Sequence, residues 1–210
     1  EGTFAIEFGP TFEVDVNVGA GVPGIPSQIK NVEMKSLSIG LSNVNVFVGW
    51  GEYFRDSNND GSIDENDTVG SGAIGFAIRD MDIGMLLMRP TALENLIAIV
   101  GPAVGAYLEN IKFMSLKLRA DFIGLVGLGD NLVIEGIDIE VDVNTSTVPG
   151  LGSIPHIDFK SSFETRAGAN DGAFEVKTGG EPVLIDFDLA IIRVKVGYAR
   201  VDVLGVLQLS

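Results

Sequence analysis

The chain has no cysteine, so disulfide staples, thiolate nucleophiles and zinc–thiolate sites are all excluded. It has one histidine, His156, next to Pro155 in a turn-rich stretch. A lone turn histidine offers neither a catalytic pair nor a histidine-rich metal site. No serine sits in a Gly-x-Ser-x-Gly elbow, and the glycine-rich stretch near Gly124 lacks a phosphate-loop lysine. No run approaches the roughly 18 uninterrupted apolar residues of a membrane helix. The best candidate, Leu93 to Val104, is too short and contains Gly101-Pro102. Positive charge is scarce: 14 lysines and arginines face 29 acidic residues, a net charge of −15. Such a surface repels nucleic acid and anionic membranes. It suits an environment of divalent cations, because calcium prefers carboxylate oxygens. No initiator methionine or secretory leader is present. The sequence opens on Glu1-Gly2-Thr3-Phe4 and closes on Val206 to Ser210, both strand-like. The expectation is a segment of a longer polypeptide, or a processed chain.

What is abundant is alternation. Ile137-Asp138-Ile139-Glu140-Val141-Asp142-Val143 has β-branched residues at odd positions and acids at even ones. Phe12 to Val18 and Val183 to Leu189 repeat the scheme. A period of two is the mark of half-buried strands. Further strands are expected at Val32 to Val48, Ala73 to Met88, Ile111 to Leu128, Ile157 to Thr165 and Ile191 to Leu209, punctuated by 27 glycines. At 210 residues a β domain buries enough apolar surface to stand without cross-links. The fold class expected is all-β: an elongated β-sandwich or a β-solenoid-like repeat.

An internal repeat runs through residues 12–26 and 139–155. Glu13-Val14-Asp15-Val16-Asn17 recurs as Glu140-Val141-Asp142-Val143-Asn144. A fainter echo links Arg119 to Leu125 with Arg200 to Val206. Residues 1–210 read as one β-rich repeat segment, a window cut from an array. One helical insert is expected at 91–109. Thr91 and Glu94 form a capping-box pattern after Pro90, followed by Leu93, Leu96, Ile97 and Val100 at helical spacing. A second short helical piece is expected from Ala103 to Leu108.

Two strands lose their alternation. Ile83 to Met88 and Phe122 to Leu128 are apolar on both faces. Such strands are buried on both sides, or they line a hydrophobic groove.

The sharpest chemical signal is Asp56-Ser57-Asn58-Asn59-Asp60-Gly61-Ser62-Ile63-Asp64-Glu65-Asn66-Asp67. Oxygen-bearing side chains stand at loop positions one, three, five, nine and twelve, the spacing of a calcium loop. Asp56, Asn58 and Asp60 converge if the chain coils, and Gly61 allows the sharp turn. Ser62 would offer its carbonyl, Ile63 would anchor the loop, and Asp64 and Asp67 would complete the sphere. The loop resembles those of dockerin modules and of calcium-binding repeats in bacterial surface proteins. Its flanks, Gly51 to Phe54 and Gly72 to Ile78, read as strands, so the loop joins strands where the EF-hand joins helices. More loosely, the whole chain resembles the repeat regions of very large bacterial extracellular, adhesin-like proteins. That resemblance implies a calcium-stabilised structural repeat of a fibre, adhesin or surface layer. It also implies an extracellular or cell-surface location and self-association with neighbouring repeats.

Alternative roles rest on other residues. Trp50 and Tyr53, just before the calcium loop, suit stacking on sugar rings of surface glycans. The doubly apolar strands suit a lipid or other hydrophobic cargo. Paired carboxylates at Asp138, Glu140 and Asp142 and at Asp186 and Asp188 are expected on the solvent face of strands. No catalytic role is expected for them.

Overall fold

The computed structural model describes residues 1–19, 26–63, 67–91, 101–102, 111–147, 154–163 and 172–209. The expected helical insert at 91–109 lies almost wholly outside them, as do much of both repeat tails and Asp64.

Twelve strands, one short α-helix and a 3-10 turn at Gly129–Asn131 make up the described fold: β1 (Thr3–Asn17), β2 (Gln28–Trp50), β3 (Phe54–Arg55), β4 (Thr68–Val69), β5 (Ile74–Pro90), β6 (Phe113–Val126), β7 (Leu132–Ser146), β8 (His156–Asp158), α1 (Phe159–Phe163), β9 (Phe174–Val176), β10 (Val183–Ile185), β11 (Ile191–Val203) and β12 (Leu207–Leu209). The all-β expectation holds. Eight strands form one antiparallel sheet in the order β12-β11-β7-β6-β5-β2-β1-β8. Two hairpins stand apart from it, β9–β10 and β3–β4.

Residues directly opposed on antiparallel strands share a face. The register therefore resolves the sheet into transverse rows. One row reads Phe4, Leu41, Ile83, Leu118, Val141, Val194. The next reads Ile6, Ile39, Met85, Leu116, Val143, Ile192. A third reads Phe8, Leu37, Leu87, Met114, Thr145. The rows between them, on the other face, hold Glu7, Ser38, Leu86, Ser115, Asn144 and Ala5, Gly40, Gly84, Lys117, Asp142, Arg193.

That second face is the covered one. The β9–β10 hairpin and α1 lie over it and close a core of Val14, Val16, Met34, Leu86, Phe113, Ile157, Phe159, Val176 and Ile185. Glycine is required where the layers touch. A Cβ on Gly40 would stand 2.0 Å from the carbonyl oxygen of Lys177, and one on Gly84 would stand 2.6 Å from the Val183 side chain.

β1 serves both faces. A bulge between Phe8 and Thr11, at Gly9-Pro10, shifts its register by one residue. A one-residue shift moves every following side chain to the opposite face. Phe4, Ile6 and Phe8 accordingly face outward, while Phe12, Val14 and Val16 turn to the core.

Three local expectations are corrected. Ile157 to Thr165 is not a strand throughout: β8 stops at Asp158 and α1 begins. The Asp158 carboxylate accepts from the Ser161 amide at 2.9 Å, an N-terminal cap, and Phe159 and Phe163 bury one face of the turn. Of Val183 to Leu189, only Val183–Ile185 is strand. Asp142 does not face solvent: its side chain is 1% exposed. Asp138 remains exposed and Glu140 half-buried. The period of two separated the faces of β7 correctly, but the acidic face is the one the second layer covers.

Candidate functional site

The loop from Asp56 to Asp67 connects β3 to β4, which pair as Phe54 with Val69 and Arg55 with Thr68. Within it the Asp60 amide donates to Asp56 Oδ1 at 3.1 Å and to Asn58 Oδ1 at 2.9 Å. The Gly61 amide donates to Asp56 Oδ2 at 2.9 Å, and Ser62 N donates to Asp60 Oδ1 at 2.9 Å. Asn58 Nδ2 reaches Asp60 Oδ2 at 2.8 Å. Asn59 and Gly61 both take positive φ, +60° and +90°, which coils the chain around the three side chains. At the far end, Asp67 Oδ1 accepts from the Ser57 amide at 2.7 Å. The structure thus brings Asp56, Asn58 and Asp60 together and ties Asp67 back to the loop's first turn. Ser62 lies beside them through its amide. Among the described residues, no group of three or more histidine, aspartate or glutamate side chains is gathered closely enough to hold a metal.

The loop is anchored to the sheet. Asn45 Nδ2 donates to the Ile63 carbonyl at 3.3 Å, and Asn45 Oδ1 accepts from the Asp80 amide at 3.1 Å. Asn43, Asp80 and Asp138 adopt left-handed backbone at φ of +51°, +49° and +54° in β2, β5 and β7. Asp and Asn tolerate that conformation better than other non-glycine residues. These bends border a polar hollow of 260 Å3 between loop and sheet, lined also by Asp67, Arg79 and Asp121. No sequence pattern pointed to it, because the bends lie in three separate strands.

Trp50 and Tyr53 part company. Trp50, at the end of β2, is 85% exposed. Tyr53 is buried, stacks on Phe47 at 5.3 Å between centroids, and meets Phe54 edge-on at 4.9 Å. Burial raises the Tyr53 phenol above its ordinary pKa, against a lowering pull from Arg79. Of the two, only Trp50 is free to stack on a ligand. His156 opens β8 opposite Asn17 on β1, its Nδ1 3.0 Å from the Ile154 carbonyl and its Nε2 3.3 Å from Asn17 Nδ2.

The larger feature is the outward face of the sheet. Most of its apolar side chains are half-buried in mid-sheet, Val143 is buried, and Phe4, Phe8, Ile192 and Val194 at the margins are 67–78% exposed. At one end of the strands this face deepens into a cavity of 610 Å3 whose floor includes Phe8, Leu37, Leu87 and Met114. The doubly apolar strand Ile83 to Met88 now divides. Leu86 and Met88 enter the core, and Ile83, Met85 and Leu87 join the open face. Sequence reasoning identified that strand but not the rows, which exist only once six strands are in register.

No helix among the described residues is long and apolar enough to cross a membrane. Comparison with protein-family models, with curated proteins and with solved structures found no match.

Proposed function

We propose that this protein shelters an elongated apolar ligand against the open face of its main sheet. The reading is carried by one observation: two apolar rows cross the sheet from β1 to β11 without a polar break, and the face carries large exposed apolar side chains at its margins, Phe4 and Phe8 on β1 and Ile192 and Val194 on β11. Folded chains rarely leave contiguous apolar patches beyond a few hundred Å2 without a use for them. The cavity of 610 Å3 at one end of the face falls in the usual range for small-molecule sites. Its lining is apolar with a few polar groups at the rim, as such sites require. The test is competition. An environment-sensitive apolar dye should bind the full chain and be displaced by a long-chain alcohol, and Leu116→Glu should weaken both. A folded chain that takes up neither compound refutes the reading.

A second reading is the calcium-stabilised surface module that composition and loop pattern suggest. Its support is the coiled run of Asp56, Asn58 and Asp60, with Asp67 closing the turn. Calcium would draw these oxygens together and fix the β3–β4 hairpin to the sheet. Extracellular modules bind calcium at about 10⁻⁴–10⁻³ M, which suits a cell-surface location. Assembly is supported by two open edges. Among the described residues, β1 has no outer partner before Asp15, and β11 has none before Val201. These edges run in opposite directions, because five antiparallel steps separate them. A copy shifted along the sheet would therefore continue it antiparallel, and uncovered edges invite such pairing. A chelator-sensitive melting curve tests the calcium part, and sedimentation tests the assembly.

A further inference from the structure

We propose that the ligand of the open face is a long-chain fatty carboxylate, its head held by Lys35, Arg89 and Lys112. This rests on the apolar-ligand reading above and names the ligand's polar end. Lys35 and Arg89 are direct partners across β2 and β5. Lys112 precedes Phe113, the partner of Met88, and so continues the same line onto β6. The line lies one row beyond Leu37, Leu87 and Met114, at the rim of the 610 Å3 cavity.

The three cations gather at one place on an acidic molecule. The chain has 14 basic residues against 29 acidic ones, yet three of the basic residues line one cavity mouth. All three are exposed. None takes part in an ion pair among the described residues, whereas Arg119, Arg193, Lys117 and Arg200 are each engaged by a carboxylate. The nearest acid on the same face of β2 is Glu33, which is bonded to the Thr91 hydroxyl. Three cations left unpaired at the end of an apolar channel complement a ligand with one anionic end and one apolar tail. The cavity's volume of 610 Å3 leaves room for the head-group end of such a ligand within the usual range of small-molecule sites. A carboxylate fits because arginine and lysine bind it by charge-assisted hydrogen bonds, roughly twice as strong as neutral ones.

The experiment compares hexadecanoate with hexadecanol on the full chain by titration calorimetry at low salt. The carboxylate should bind about tenfold or more tightly than the alcohol, the gain expected of charge-assisted contacts. In K35Q/R89Q/K112Q that preference should fall to about twofold or less. In the charge-preserving K35R/K112R it should persist, which separates loss of charge from loss of fold. Equal affinity of the wild type for both compounds overturns the cation assignment and leaves the apolar-ligand reading standing. A preference that survives in K35Q/R89Q/K112Q also overturns the assignment. Binding of neither compound by the folded chain overturns both.

Discussion

Arg193 on β11 reaches across to Asp142 on β7, its Nε 3.1 Å from Oδ2, while Arg119 on β6 holds the other oxygen at 3.0 Å. One buried carboxylate thus ties three neighbouring strands on the covered face. Burial alone would raise its pKa. The bonds and charges of Arg193 and Arg119 outweigh burial, and the group stays below the ordinary carboxylate range. Its folded pKa is therefore lower than its unfolded one. The stabilisation is complete above the unfolded pKa, about 3.9, and is lost as pH falls through the folded value. Asp142→Asn should cost about 1–3 kcal/mol in urea unfolding at neutral pH. Part of the wild type's acid-induced loss of stability below about pH 4 should vanish in the variant. Equal stability of the two proteins at pH 7 would contradict this.

Gly40 is fixed by contact, not by turn geometry. The Lys177 carbonyl sits where its Cβ would be. Gly40→Ala must push the β9–β10 layer off the sheet and should destabilise the fold by about 1–3 kcal/mol, as overpacked cores do. The melting temperature is the readout, and an unchanged value would mean that the two layers are not in contact there.

Calcium should raise the melting temperature. A ligand at one hundred times its dissociation constant adds about 2.7 kcal/mol to a fold that alone binds it. Asp60→Ala should abolish the rise, because its carboxylate lies between Asn58 and Ser62 at the centre of the coil. Identical melting curves in calcium and in chelator would remove the second functional reading.

Edge pairing predicts concentration-dependent association. Val194→Lys and Ile6→Lys place charge on the outer strands, a device that blocks edge-to-edge contact. Sedimentation velocity should show larger species in the wild type and fewer in either variant. A wild type that is monomeric at every concentration would rule the assembly out.

Trp50 is the only tryptophan and stands almost free of the fold. Its emission should match that of indole in water, and Trp50→Ala should change stability by no more than about 0.5 kcal/mol. A blue-shifted spectrum would place it in a contact.

Much of the fold was legible in the residue order. β2, β5, β6 and β7 fall where the residue order placed them, while the strand expected over Ile191 to Leu209 stops at Val203 and turns back as β12. What could not be read was which face is inside. Asp142 and Asp138 occupy equivalent places in the pattern, yet one is buried between two arginines and the other is exposed. That difference is set by Arg193, 51 positions away, and by Arg119 on the neighbouring strand. The calcium-type loop was legible because its ligands are close in sequence. The line of Lys35, Arg89 and Lys112 was not, because strand register alone assembles it.

The central claim is that the row face of the sheet holds an apolar chain. The most direct measurement is photolabelling of the full chain with a diazirine-bearing long-chain alcohol, followed by peptide mass spectrometry. The account predicts adducts on Leu37, Met85, Leu116 and their neighbours in the same rows, competed away by unlabelled hexadecanol. Adducts confined to the β9–β10 side, or none on a folded chain, would contradict it.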